Sequence, residues 1–90
     1  MPKYVIEREM PGVGLAPKEA HQEGARKSLA VLKELGPEIQ WVESYVSEDK
    51  IYCIYIAPNE DIIRDHAEKA GIPASKISEI KMTVDPSVVE

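Results

Sequence analysis

The chain is short of the residues that mark several large functional classes. It has one cysteine in 90 residues, so no intrachain disulfide framework can form, and a lone thiol suits a reducing compartment. No apolar run approaches the roughly 18 residues that a membrane helix needs. Behind Met1-Pro2-Lys3-Tyr4 there is no apolar stretch of the kind a secretory signal carries. These features lead to the expectation of a cytoplasmic protein with no membrane partner. Basic residues are in deficit, with 11 Lys and Arg against 16 Asp and Glu and a net charge of -5. Phosphate backbones are bound by clustered Lys and Arg, and no such cluster with interleaved aromatics occurs, which argues against nucleic acid as a partner. CxxC, HExxH, GxSxG and phosphate-cradling glycine loops are missing as well. The segment Pro11-Gly12-Val13-Gly14 has neither the glycine pattern nor the strand-to-helix setting of a nucleotide loop. No motif names a catalytic residue.

What is present reads as one small domain, residues 1–90, with 43% hydrophobic and 30% charged residues, ordinary for a globular chain. Lys3–Glu9 is β-prone and stops at the turn signal Met10-Pro11-Gly12. Pro17, placed at the first helical position, opens a helix that Gly36 and Pro37 close. Its apolar stripe is expected through His21, Ala25, Leu29, Leu32 and Leu35, with Ser28 on the same side. Ile39–Val46 and Lys50–Ala57 are two strands joined by Ser47-Glu48-Asp49. Asn59 caps a second helix that ends at Gly71 and carries Ile62, Ile63, His66, Ala67 and Ala70 on one stripe. Lys76–Val84 is the last strand, followed by a loosely held tail.

The order β-α-β-β-α-β predicts an α+β, ferredoxin-like fold, a four-stranded antiparallel sheet with both helices on one face. Leu29, Leu32, Ile54, Ile63 and Ile80 are the expected core. Alternation along the strands assigns Val42, Val46, Ile54, Ile56, Ile80 and Met82 to the helix side. Trp41, Glu43, Tyr45, Ile51, Cys53, Tyr55, Glu79 and Lys81 then fall on the open side, and a bulge would reverse one strand. The open face is too apolar for water, and Trp41, Tyr45 and Tyr55 are expected to form a homodimer interface there.

The residues able to carry chemistry are few. His21 and His66 sit on the apolar stripes of their helices, and the antiparallel run of those helices brings both toward the end of the domain where the first strand stops at Glu9. Cys53 is three residues into the third strand, near the same end. Two imidazoles, a thiolate and a carboxylate are donors for a borderline divalent ion, so His21, Cys53, His66 and Glu9 form a candidate metal site. The bland alternative is that both histidines are hydrogen-bonded core residues, that Cys53 is a small buried hydrophobe, and that Glu7 and Glu9 are ion-pair partners.

The stretches "YVIEREMPG", "AH" at Ala20-His21, "QWVESYVSEDKIYCIYIAPNE" and "IRDHAEKAGIPASKISEI" resemble a family of small, otherwise uncharacterised nickel-binding proteins. The likeness runs from Tyr4 to Val84. It implies a ferredoxin-like fold, dimerisation, and nickel or another divalent transition metal held by the residues at His21, Cys53 and His66. Where the resemblance leads one to expect a histidine, an acid and a second histidine, this chain has Arg8, Ile56 and Ala70. Two functional readings therefore stand: a metal-binding module, and a metal-free dimeric module that binds a small molecule or protein in an apolar pocket. A small enzyme with His66 as general base is a more distant third.

Overall fold

In the computed structural model, which describes residues 1–89, the first strand β1 (Lys3–Glu9) lies in the interior of a four-stranded sheet. It is flanked by β3 (Lys50–Ile56) and β4 (Lys76–Ile80), and β2 (Gln40–Val46) lies outside β3, giving the order β2-β3-β1-β4 with antiparallel pairing throughout. Helices α1 (Lys18–Leu35) and α2 (Glu60–Ala70) follow β1 and β3. This is the α+β ferredoxin-like arrangement that the element order predicts. No helix among the described residues is long and apolar enough to cross a membrane.

Local chemistry accounts for most element ends. The Asn59 side chain accepts from the Ile62 backbone N–H, and Gly71 at φ 69° returns its N–H to the last turn of α2, the left-handed exit that glycine allows. Pro17, expected as the first helical residue, is the N-cap of α1 in extended backbone, and the helix starts one position later, at Lys18. The segment 13–15 forms a 3-10 turn that sequence periodicity did not announce, and it docks on the β2–β3 loop. Gly14 N–H donates to Glu48 O at 2.9 Å, and a Cβ at Gly14 would lie 2.6 Å from Ser47 O, so only glycine lets these loops approach so closely. The last strand ends at Ile80, four residues earlier than expected, and Met82 and Val84 are exposed.

The sheet faces differ from the expected assignment. Tyr4, Ile6 and Arg8 of β1 point to the helix side, and pairing sets Tyr4 opposite Tyr55, Ile6 opposite Cys53 and Arg8 opposite Ile51. Tyr55 and Cys53 therefore belong to the core, and Ile54, Ile56 and Tyr52 lie on the open face, half-buried. Because β3 is apolar on both sides, its own alternation cannot choose a face; its neighbour β1 does. A bulge between Trp41 and Glu43 then shifts β2, so that Trp41 and Ser44 turn inward while Glu43 and Tyr45 stay outside. Of the three aromatics expected on the open face, Tyr45 remains there; Trp41 packs against the core and Tyr55, at 1% exposure, is inside it.

Three corrections to the expected core follow from the same geometry, the first being Ile54, which lies on the open face and is only half-buried. Ile80 pairs with Lys3 on the open side and is only half-buried. Leu29 is 54% exposed, because the buried stripe of α1 passes through Ser28, Val31 and Leu32; it shares Ser28 and Leu32 with the expected stripe, and Leu29, one residue and about 100° on from Ser28, falls outside it. Leu32 and Ile63 are buried as expected, with Ile6, Ile39 and Ala57.

Candidate functional site

The two helices cover the sheet unequally. On its sheet side α2 presents Ile63, His66, Ala67 and Ala70, all buried. The first half of α1 presents Ala20, His21, Gly24 and Ala25, Ser28 follows, and the bulky Val31 and Leu32 come only beyond it. Small side chains at this spacing leave space between helix and sheet. A cavity of about 400 Å³ results, with a wall built mainly by these residues, Trp41, Ile51, Cys53, Tyr55 and the Val13 turn. Its volume is at the lower end of the range of about 300–1,000 Å³ usual for small-molecule sites.

One charged side chain is set into this wall. Arg8 is 2% exposed. Its Nε donates to Cys53 Sγ at 3.4 Å and its Nη1 to Pro73 O at 2.8 Å, whereas Nη2 is buried with no acceptor. Among the described residues no carboxylate is within ion-pair distance of it, and no Asp or Glu lines the cavity. A buried charge without a counter-ion costs several kcal/mol, of order, in desolvation.

Two short hydrogen-bond chains surround this cation. Trp41 Nε1–H donates to Ser44 Oγ at 2.9 Å, and the Ser44 hydroxyl donates to Cys53 Sγ at 3.0 Å. His66, fully buried, shares a 2.9 Å hydrogen bond with Ser28 Oγ through Nε2 and has no partner at Nδ1. Its ring lies 5.3 Å from that of Tyr55, whose hydroxyl is 3.5 Å from Ser28 Oγ. Burial, and next the charge of Arg8, push the His66 pKa below its ordinary 6.5. Burial pushes the Tyr55 hydroxyl above its ordinary 10.0. Both groups are thus neutral at physiological pH, and Arg8 gives the site its sign.

The expected metal ligands are dispersed by these contacts. His21 and Cys53 line the cavity, and His66 lies behind Ser28 and Tyr55 rather than in the wall. Glu9 is exposed at the end of β1, where its carboxylate and that of Glu7 face Lys50 Nζ at 3.9 and 3.6 Å. Among the described residues no three His, Cys, Asp or Glu side chains come together. The Cys53 sulfur already accepts from two donors, one of them a cation. Arg8 was visible in the sequence only as a residue unable to ligate; the signal that could have found it was the alternation Tyr4, Ile6, Arg8, which puts its side chain on the apolar side of β1.

A ferredoxin-like domain with an apolar, singly charged cavity beneath its first helix is the class that fold and site define. Residues 4–80 match the model of the SCO4226-like family, described as nickel responsive proteins, and the chain belongs to that family. The crystal structure of SCO4226 from Streptomyces coelicolor A3(2) superimposes with a TM-score of 0.77 at 19% identity, covering 91% of this chain and 99% of that one. At that identity the likeness speaks for the fold. None of the functionally curated proteins matches the sequence. The family's description raises nickel as a ligand, and the donors present do not fit it. A divalent ion here would meet a guanidinium already bonded to the sulfur, and would have to gather imidazoles that lie apart from a carboxylate held at the surface.

Proposed function

We propose that this chain is a binding module that takes a small, largely apolar organic molecule between α1 and the sheet, in place of a divalent metal ion. The cavity carries this reading. It is lined by small and apolar side chains on a helix whose other half packs tightly, and its wall holds a cation that disfavours a second one. Gly24, in mid-helix, has open space where a Cβ would stand, so no close contact requires glycine there, and the helix forgoes up to about 1 kcal/mol of propensity.

Titration with 1-octanol, followed by backbone amide shifts, tests the reading. Saturable shifts confined to Ala20, Gly24, Trp41 and Ile51 are expected. Calorimetry with Ni²⁺ on the native chain and on His66→Ala tests the alternative. Micromolar nickel binding that the substitution abolishes, with no response to octanol, would overturn the proposal and restore the metal-binding reading.

We also propose a homodimer through the open sheet face, now carried by Tyr45 and Tyr52 with Val42, Ile54 and Ile80. Lys3 and Glu43 border the same shallow surface, and a two-fold axis passing between them would pair each with its opposite charge on the other copy. Sedimentation at micromolar concentration is the check, and a clean monomer would count against it. The buried single thiol supports a reducing compartment.

A further inference from the structure

From the unpaired guanidinium of Arg8 in the cavity wall, we infer that the ligand is a monoanion, a compact carboxylate on an apolar body. This rests on the reading of the cavity as a binding site and names the class of molecule it takes. The chain has 16 Asp and Glu residues, yet among the described residues none neutralises Arg8 and none lines the cavity. A protein of net charge -5 that buries its one cationic cavity residue with no acid in ion-pair reach among the described residues leaves room for the counter-ion to come from outside.

The hydrogen-bond inventory points the same way. Nε has Cys53 Sγ, a weak acceptor, and Nη1 has Pro73 O; Nη2, with two N–H donors, has none. A carboxylate oxygen is the acceptor that an arginine fork binds best, because charge assistance about doubles the strength of such hydrogen bonds. The bonds to Cys53 and Pro73 hold the guanidinium in place beforehand, which lowers the ordering cost of binding. One cation and few further donors suit a single negative charge. A phosphomonoester, close to doubly charged at neutral pH, would find one arginine and hydroxyls from Ser28, Ser44 and Tyr55, and would leave charge unmatched. The remaining wall, with Val13, Val46, Ile51 and Ile72 beside Trp41, suits an alkyl or aryl body.

The test titrates octanoate, 1-octanol and n-octylamine into the full chain at neutral pH, reading the emission of Trp41, the chain's one tryptophan and part of the cavity wall. Octanoate is expected to bind roughly tenfold or more tightly than octanol, with octylamine the weakest. In Arg8→Met that preference should vanish while octanol still binds, and Arg8→Lys should keep part of it. A purely structural role for Arg8 would weaken both ligands alike and leave their ratio unchanged. Equal binding of octanoate and octanol by the native chain, or tightest binding of octylamine, overturns the inference and leaves the binding-site reading standing. No saturable binding of any of the three would sink that reading as well. Should Arg8→Met fail to fold, as judged by circular dichroism, the octanoate-to-octanol ratio of the native chain decides alone.

Discussion

The two helices rest on one sheet and use it in opposite ways. Under α2, Ile63, His66, Ala67 and Ala70 are buried, and the one polar group bonds to Ser28 through Nε2 while its Nδ1 has no partner. Under the first half of α1 the side chains are small, a cavity of about 400 Å³ opens, and an arginine is buried with no acid paired to it among the described residues. If the hollow half were only imperfect packing, filling it or removing its charge should be costly or indifferent to function. If it is a site, the same changes should favour the fold and harm binding, the trade that functional sites show.

The sharpest contrast is in the response to core substitution. Ile63→Ala, in the packed half, should cost about 2–5 kcal/mol in a urea titration, the transfer and cavity cost of a large buried aliphatic. A loss below about 1 kcal/mol would erase the distinction between the halves. Arg8→Met, in the hollow half, should go the other way. It replaces an unpaired buried charge by an apolar side chain of similar length, and a gain of about 1–4 kcal/mol is the range for relieving buried ionic groups. A loss of that size would mean that the bonds to Cys53 and Pro73 are structural necessities. Gly24→Ala should stabilise by about 0.5–1 kcal/mol, since its Cβ meets nothing within 4 Å and the helix gains propensity. A destabilisation would show that the helix needs its freedom there.

The smallest effect is the pH response of the packed half. The folded pKa of His66 lies below its ordinary 6.5, so the unfolded chain takes up a proton first as pH falls. Stability contributed by the neutral ring is complete above about 6.5 and declines below it, down to the lowered folded value. A denaturation midpoint measured against pH should fall on the acid side for the native chain, and less steeply for His66→Gln. Parallel curves would assign the acid response to other groups.

These expectations rest on features of unequal visibility in the sequence. The bounds of β1 were readable to the residue, those of α1 to within one position at Pro17, and those of α2 from Asn59 and Gly71, because caps and periodicity act within a few positions. His66 was readable as an inward residue of its helix. Its partner Ser28 was assigned to the correct side of α1, but nothing local told that the two would meet across helices. His21 and Cys53 were rightly suspected of sharing an end of the domain, and both do line one cavity; the metal that would join them has no donor set there.

By itself, then, the sequence determined which segments are helix and strand, their order, and the resulting ferredoxin-like frame, because hydrogen-bonded caps, turn residues and hydrophobic period are short-range properties. The faces of β2 and β3 were decided only in the tertiary structure. β3 is apolar on both sides and takes its orientation from β1, and the bulge after Trp41 appears only in the pairing with β3. So too was the cavity, whose size depends on how far small residues of α1 stand from a sheet that they meet through long-range packing. Arg8 became the site's one cation for the same reason: alternation puts it on the inner face of β1, and only the folded chain shows that, among the described residues, no acid pairs with it there.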